Sequence, residues 1–284
     1  MGLYWEPCPG GARLLRLLGD TPCPAVPGTI EGLPVAELGP YCFADRPVRP
    51  GARRTGDDTH EITGNFVEEV TLPDTVRVLD SAAFYNCRRL RRVTLGPGVE
   101  GFGSDLFTNC RQLQTFRLRA AADAPTGLKK LLGAVSADIT VELDGAQLFY
   151  PEYSEFLDEN TPAHIFNHSI EGEGYRMRQC FTPGGAVDYA AFDASFAQAC
   201  VGESEDKLCR LALGRLVQPF GLGDDARADY ELYLTAHPEA AFRRAIDDRA
   251  DAAVYCARVG WSAGAAVLLG RAKRAKKTYD FDDL

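Results

Sequence analysis

Apolar residues in the first half of the chain repeat with a period of 23 residues. Seven positions recur one period later: Val67, Val70, Leu72, Val76, Leu79, Phe84 and Cys87 correspond to Leu90, Val93, Leu95, Val99, Phe102, Phe107 and Cys110, and the first three recur again as Leu113, Phe116 and Leu118. A repeat of this length is typical of a solenoid, in which each repeat forms one rung and buries its apolar side against its neighbours. Because solenoids usually present an extended surface, the period favours binding over catalysis.

The repeat at residues 88–110 contains the signals of a complete rung. Apolar alternation over residues 90–95 predicts a strand, a Gly-Pro-Gly turn ends it, and residues 99–102 predict a second short strand. Equivalent side chains of adjacent rungs should stack at the strand spacing of about 4.8 Å. We therefore expect Phe84 and Phe107 to stack inside the solenoid.

Two further segments complete the N-terminal region. Residues 25–43 fit the same template, with Val35, Leu38 and Phe43 in the positions that Val76, Leu79 and Phe84 occupy later. Residues 46–64 are rich in proline, glycine, arginine and aspartate, and this composition predicts a surface excursion between rungs.

Three motifs of this region resemble the BspA-like leucine-rich repeats of bacteria. They are the opening VPGTIEGLPVAELGPYCF, the rung VTLPDTVRVLDSAAFYNCRRLRRVTL and the FTNC of the following rung. The resemblance covers residues 11–120 and implies a curved solenoid with short strands whose relatives generally bind other macromolecules. The chain departs from that family in its small number of complete rungs. It also shows no export signal, whereas many relatives are exported surface proteins.

The outward positions of the predicted strands form a candidate binding face. Alternation places Glu69, Arg92 and Thr115 in one column, and Thr71, Thr94 and Arg117 in the next. The candidate partner-binding residues are Arg88, Arg89, Arg91, Arg92 and Arg117. Two interpretations remain open: a solvated face that keeps strand edges soluble, or a patch that binds an acidic partner.

Residues 189–284 show apolar residues at helical spacing, which predicts an all-helical array. Its last two predicted helices resemble an ankyrin-type hairpin, although the TPLH signature of that family is absent. Residues 146–188 form a mixed junction, for which we expect strand, loop and a short helix. The sequence thus predicts an α+β fold with a leucine-rich-repeat solenoid at 1–145, this junction, and a helical, ankyrin-like domain at 189–284.

Composition and charge limit the kinds of partner and the cellular compartment that we expect. Residues 1–120 contain equal numbers of basic and acidic residues, so the net charge of −9 lies entirely in the remainder. An acidic second half repels phosphate backbones and argues against a nucleic-acid partner. No apolar run reaches the roughly 18 residues of a membrane span, and no signal peptide is visible. The nine cysteines form no CxxC pair, and we expect reduced thiols, including those of Cys87 and Cys110, in a cytoplasmic protein.

Three patterns in the sequence resemble motifs of enzymes. The GxSxG motif around Ser262 lacks a histidine after the serine, and the GxGxxG motif at residues 96–101 leads into a strand instead of a helix. His164 and His168 are four residues apart and would share one helix face, with Glu171 nearby as a third metal ligand.

The leading functional hypothesis is a non-catalytic protein-protein interaction scaffold that needs no cofactor or metal and whose partner is unknown. The alternative is a metal-dependent hydrolase at the domain junction with His164, His168 and Glu171 as ligands. The sequence does not specify the oligomeric state.

Overall fold

The computed structural model describes residues 2–160 and 165–247. The chain divides into two compact units. The first contains Met1–Asp144 and Tyr150–Asp188, and the second contains Gly145–Phe149 and the chain from Tyr189 onward. Strands dominate the first unit and helices the second, which confirms the predicted α+β fold.

Most strands of the first unit belong to two sheets. Its first eleven strands are β1 (Gly2–Cys8), β2 (Gly11–Leu18), β3 (Thr29–Ile30), β4 (Leu33–Leu38), β5 (Arg53–Thr55), β6 (Glu69–Thr71), β7 (Val78–Leu79), β8 (Arg92–Leu95), β9 (Gly101–Phe102), β10 (Thr115–Ala121) and β11 (Ile139–Asp144). The first sheet has the order β5-β1-β2-β4-β7-β9, with β3 paired to β4. In the second sheet β6, β8, β10 and β11 lie side by side. Strands from β6 to β10 alternate between the sheets, so each rung supplies one strand to each of them.

The register of the second sheet confirms the 23-residue repeat. Val70 pairs with Val93, and Val93 with Phe116, in parallel strands. The first sheet opens with the antiparallel β1–β2 hairpin, which the repeat pattern does not predict. After that hairpin β2, β4, β7 and β9 pair in parallel.

A column of phenylalanine rings fills the core between the sheets. The ring centroids of Phe43 and Phe84 are 5.2 Å apart with an interplanar angle of 5°. Those of Phe84 and Phe107 are 5.3 Å apart at 12°, and Phe116 ends the column at 5.2 Å from Phe107. The predicted stack of Phe84 on Phe107 is therefore confirmed, and the column continues with Phe43 on one side and Phe116 on the other.

Cysteines form a second column beside these rings. The Cys87 thiol donates a hydrogen bond to the Phe43 carbonyl at 3.2 Å, and the Cys110 thiol donates to the Phe84 carbonyl at 3.0 Å. Both are free thiols; Cys87 is buried and Cys110 is half-buried. Burial raises the pKa of Cys110 to about 12, and burial likewise raises the pKa of Cys87. Each thiol is thus a neutral donor to the preceding rung.

The two irregular segments of the first unit contain more structure than the sequence predicts. The excursion at residues 46–64 carries β5, which pairs with β1. The short α1 (Leu128–Gly133) precedes β11, and β12 (Ala146–Tyr150), most of which belongs to the second unit, follows β11. The predicted junction loop is wrong, because the chain forms the antiparallel hairpin of β13 (Ser154–Asn160) and β14 (Ile165–Glu171) before α2 (Gly174–Met177).

From Tyr189 onward the second unit is helical over its described residues, as predicted. Its helices are α3 (Tyr189–Ala194), α4 (Phe196–Gly202), α5 (Glu205–Val217), α6 (Asp224–Ala236) and α7 (Pro238–Asp247). The predicted ankyrin-like hairpin lies outside the described residues. No helix in the part of the chain that the structure describes is both long and apolar enough to cross a membrane.

A buried charge network fixes the helices of the second unit. The Arg215 guanidinium donates to the two Asp193 carboxylate oxygens at 2.7 and 2.9 Å, and the Tyr230 hydroxyl donates to Asp193 at 2.8 Å. Burial alone would lower the pKa of Arg215, but its hydrogen bonds to Asp193 and the charge of Asp193 raise it overall. Since Arg215 also donates to the Phe220 carbonyl, the network is internally satisfied and serves packing.

Candidate interaction surface

The outward side chains of β6, β8, β10 and β11, here called the strand face, form the predicted columns. Glu69, Arg92 and Thr115 are register partners across three strands. Thr71, Thr94 and Arg117 form the next column, which continues to Glu142 of β11. The columns follow directly from the parallel, in-register pairing, because a residue and its register partner project to the same side of a sheet.

Two ion pairs cross the strand face and skip one strand each. The Arg92 guanidinium donates to both carboxylate oxygens of Glu142, at 2.7 and 3.3 Å, and so passes over β10. Arg119 of β10 donates to Asp74, which follows β6, at 2.6 and 3.0 Å, and so passes over β8. Arg117 pairs with Asp144. The arginines of the strand face are therefore neutralised by the protein's own carboxylates.

Four further arginines lie in the turns that precede β8 and β10. We call Arg88, Arg89, Arg91 and Arg111 the arginine edge. Glu68 accepts from both Arg89 and Arg91, the latter at 2.6 Å. Arg88 and Arg111 are exposed, and neither has an ion-pair partner among residues 2–160 and 165–247. The structure thus divides the predicted patch, with Arg88, Arg89 and Arg91 on the edge and Arg92 and Arg117 on the strand face.

A repeated turn presents Arg88 and Arg111 in the same way. Asn86 and Asn109 both adopt left-handed backbone conformations, with φ of 62° and 63°. Asparagine tolerates this conformation better than most residues do. Their side chains are linked by a 2.8 Å hydrogen bond between Asn109 Nδ2 and Asn86 Oδ1. In both turns the amide of the arginine two residues later donates to the asparagine carbonyl, at 2.8 and 2.9 Å.

The arrangement suits recognition of carboxylates. A guanidinium offers a planar fork that can bind one carboxylate through two hydrogen bonds. The arginine edge carries four guanidinium groups and a single internal carboxylate, that of Glu68, so its net charge is positive. The four carboxylates that neutralise the arginines were not identified in the sequence analysis. The repeat itself points to Glu68, because Glu68 stands one period before Arg91.

Of the three metal ligands of the alternative hypothesis, only His168 and Glu171 lie among the described residues, and they project to opposite sides of one strand. The prediction that the two histidines share one face of a helix is wrong, because His168 and Glu171 lie on strand β14. Residues three apart on a strand project to opposite sides of it. His168 Nε2 lies 3.2 Å from Glu155 Oε2, and His164 lies outside the described residues. Among the described residues no group of three or more histidine, cysteine, aspartate or glutamate side chains could hold a metal ion.

Of the two other enzyme-like motifs, GxGxxG has a structural explanation and GxSxG lies outside the described residues. Ser262 of the GxSxG motif is outside the described residues. In the GxGxxG motif, a Cβ atom on Gly96 would lie 2.7 Å from the Asp74 Cα, and one on Gly101 would lie 2.9 Å from a Val78 methyl. These glycines are required by close packing of the preceding rung. A nearby cavity of about 10 Å³, far below the ~300 Å³ of ordinary ligand pockets, has no titratable side chain in its lining.

A match to a known protein family agrees with the repeat architecture of residues 62–124. Residues 62–124 match the family described as BspA type Leucine rich repeat region (6 copies). The chain is similar to the solved leucine rich repeat protein of T. pallidum, with 22% identity and a TM-score of 0.32, over 42% of this chain and 53% of that chain. It is also similar to a leucine rich cell surface protein from Faecalibacterium prausnitzii A2-165, with 19% identity and a TM-score of 0.30, over 50% of this chain and 41% of that one.

The chain spans 53% and 41% of the lengths of these two solved chains. No curated protein matches it. The match at residues 62–124 coincides with the rungs from β6 to β10. The resemblance to the BspA-like leucine-rich repeats is therefore confirmed for this part of the chain.

Proposed function

We propose that the protein is a non-catalytic leucine-rich repeat scaffold that binds an acidic segment of a partner protein along the arginine edge. The observation that carries the proposal is the pair Arg88 and Arg111. Both are exposed and occupy equivalent positions in adjacent rungs, and neither has a carboxylate partner among the described residues. Their positive charges are therefore available to a ligand.

The spacing of the edge supports an extended ligand. Adjacent rungs are about 4.8 Å apart, and residues of an extended peptide advance by about 3.3 Å each. A segment that crosses the rungs can therefore place successive carboxylates near Arg88 and Arg111. Arg89 and Arg91 add positive potential beside them, and side chains 59% and 51% exposed leave both in contact with solvent.

The strand face has a secondary part in this proposal. Arg92 and Arg117 hold Glu142 and Asp144, so a ligand carboxylate would have to displace an existing partner. We therefore assign the first contact with the partner to the edge, and we assign shape complementarity to the neighbouring threonines of the strand face.

The test compares two charge-reversal variants of the full-length protein. Arg88→Glu/Arg111→Glu changes the edge without breaking an ion pair of the described structure. Lys129→Glu/Arg176→Glu makes the same charge change at two other exposed positions of the first unit. Binding of a fluorescent oligo-glutamate peptide is measured by anisotropy at low salt, and partner capture from a native-host lysate is quantified by mass spectrometry.

We expect the edge variant to bind the peptide about five- to tenfold more weakly and to capture less partner, whereas the control variant resembles wild type. The expected loss of affinity follows from the roughly 0–1 kcal/mol that an exposed ion pair contributes, summed over two arginines. Binding should also weaken as salt screens the charges. Equal binding and capture by the two variants would exclude the arginine edge as the site.

A further inference from the structure

A second surface of the first unit, of opposite charge, lies on the β13–β14 hairpin, which we call the acidic ribbon. The two strands pair in antiparallel register from Ser154 opposite Glu171 to Asn160 opposite Ile165. No further strand pairs with either of them among the described residues. An isolated two-stranded hairpin is marginally stable in water, and a third strand would stabilise it.

Apolar side chains of the ribbon are exposed on both of its faces. Phe156 is 44% exposed and lies on the face of its register partner Ser169. Leu157 is 68% exposed and Ile170 is 36% exposed, and both belong to the opposite face. Neither face is buried against the rest of the first unit at these positions, although Phe, Leu and Ile are ordinarily core residues.

The base of the ribbon is firmly attached to the first unit. The buried Arg178 guanidinium donates to the Pro151 carbonyl at 2.5 Å and to the Ala137 carbonyl at 2.7 Å. The Tyr153 amide donates to the Ser136 carbonyl at 3.0 Å, and the Arg178 guanidinium carbon lies 5.0 Å from the centre of the Tyr153 ring. The ribbon is therefore a projection held at a fixed base and not a frayed connection.

The charge of this segment is uniform. Between residues 152 and 173 the chain has six acidic residues and neither lysine nor arginine: Glu152, Glu155, Asp158, Glu159, Glu171 and Glu173. An acidic, unpaired ribbon with exposed apolar side chains would be complemented by an extended segment in which lysine or arginine alternates with apolar residues. Such a segment would supply the missing main-chain partners, bury the apolar side chains and pair with the carboxylates.

We propose that the acidic ribbon binds an extended segment of alternating basic and apolar residues from a partner protein, which adds to β13 or β14 as a third strand. This proposal rests on the protein-binding role proposed above only in taking the bound segment to belong to a partner protein. It concerns a different surface and a ligand of opposite charge, so the two sites can be tested separately.

The probe is a short fluorescent peptide of alternating lysine and valine, measured by anisotropy with the full-length protein. The first variant is Glu155→Lys/Glu171→Lys, matched by Glu100→Lys/Asp123→Lys at exposed positions elsewhere in the first unit. The second is Leu157→Ser, matched by Val201→Ser, because Val201 is also exposed, at 80%, but lies on α4 of the second unit.

We expect saturable binding to wild type and to both control variants. Binding should be about five- to tenfold weaker for the charge variant and about tenfold weaker for Leu157→Ser. A peptide with N-methylated amides on alternate residues should not bind, because it cannot donate the main-chain hydrogen bonds of a third strand. Oligo-glutamate binding should be unchanged in the ribbon variants, and lysine-valine binding should be unchanged in Arg88→Glu/Arg111→Glu.

Three results would overturn the proposal: no saturable binding to wild type, equal binding of the N-methylated peptide, or equal binding by the ribbon variants and their controls. Sedimentation velocity tests whether a second copy of this chain, instead of a basic segment, pairs with the ribbon. A dimer of wild type that Leu157→Ser dissociates would show that the ribbon pairs with a second copy of this chain instead of a basic segment. If wild type binds the lysine-valine peptide but not oligo-glutamate, the result counts against the arginine edge and leaves the ribbon proposal standing.

Discussion

Replacing Phe84 by alanine tests the rung-by-rung packing of the core. The Phe84 side chain is fully buried, and its ring stacks on Phe43 at 5.2 Å and on Phe107 at 5.3 Å. Loss of a buried phenylalanine ring costs about 3–5 kcal/mol of unfolding free energy, including the cavity that remains. We expect the upper part of this range, because two stacked aromatic contacts of about 0.5–1.5 kcal/mol each are lost together.

The assay is urea unfolding followed by tryptophan fluorescence. The chain has two tryptophans, so a Trp261→Phe background leaves the buried Trp5 as a reporter of the first unit. Phe84→Leu serves as the matched variant, since it retains most of the volume and loses only the stacking. It should cost about 1–3 kcal/mol, the sum of two lost stacking contacts. Phe156→Ala, at a side chain that is 44% exposed, should cost less than about 1 kcal/mol.

The reasoning would be refuted by a loss below about 1 kcal/mol for Phe84→Ala, or by equal losses for Phe84→Ala and Phe156→Ala. Either result would mean that Phe84 is not held between Phe43 and Phe107. The 23-residue register of the rungs would then be wrong.

Two further predictions concern buried polar groups. Asp193→Asn should destabilise the second unit by about 3–5 kcal/mol, because it leaves the buried charge of Arg215 without a carboxylate. Tyr230→Phe should cost only about 1.5–3 kcal/mol, because it removes one hydrogen bond to a charged group. Both are measured by urea unfolding followed by helical far-UV circular dichroism, and equal losses would contradict the assignment. Burial raises the pKa of both Cys42 and Cys110 from about 9 to about 12, so the folded state binds protons more tightly. Stability from these thiols is full below about pH 9 and is lost as the pH rises towards 12. Each thiol should contribute a slope of at most about 1.4 kcal/mol per pH unit, and a Cys42→Ala/Cys110→Ala variant with the same slope as wild type would disprove this.

The sequence predicts the rungs well because their residues repeat in register. Val70, Val93 and Phe116 are each one period apart, and the observed pairing follows the same interval. The outward columns follow from the same pairing. The partner of Arg92 could not be predicted in this way, because α1 lies between β10 and β11 and the interval between register partners is no longer 23.

Non-repeating segments are where prediction fails. The acidic ribbon has no counterpart one period earlier or later, and its polar residues between Asp158 and Thr161 are equally typical of a loop. The charged network of Asp193, Arg215 and Tyr230 joins residues that helical periodicity places on faces but does not pair. Burial decides such pairings, since an unpaired charge in a core is strongly unfavourable.

The ion pairs that skip a strand change how the solenoid opens. In an ordinary repeat array each rung is coupled only to its immediate neighbours, so unfolding can begin at one end and proceed one rung at a time. The pairs of Arg92 with Glu142 and of Arg119 with Asp74 add coupling between second neighbours, and both arrangements pass over an intervening strand. Detachment of β11 must break the first pair, which is made with β8, as well as its contacts with β10. The array therefore has a longer cooperative length than its hydrogen-bonded ladder alone provides, and its end rungs are tied to the interior.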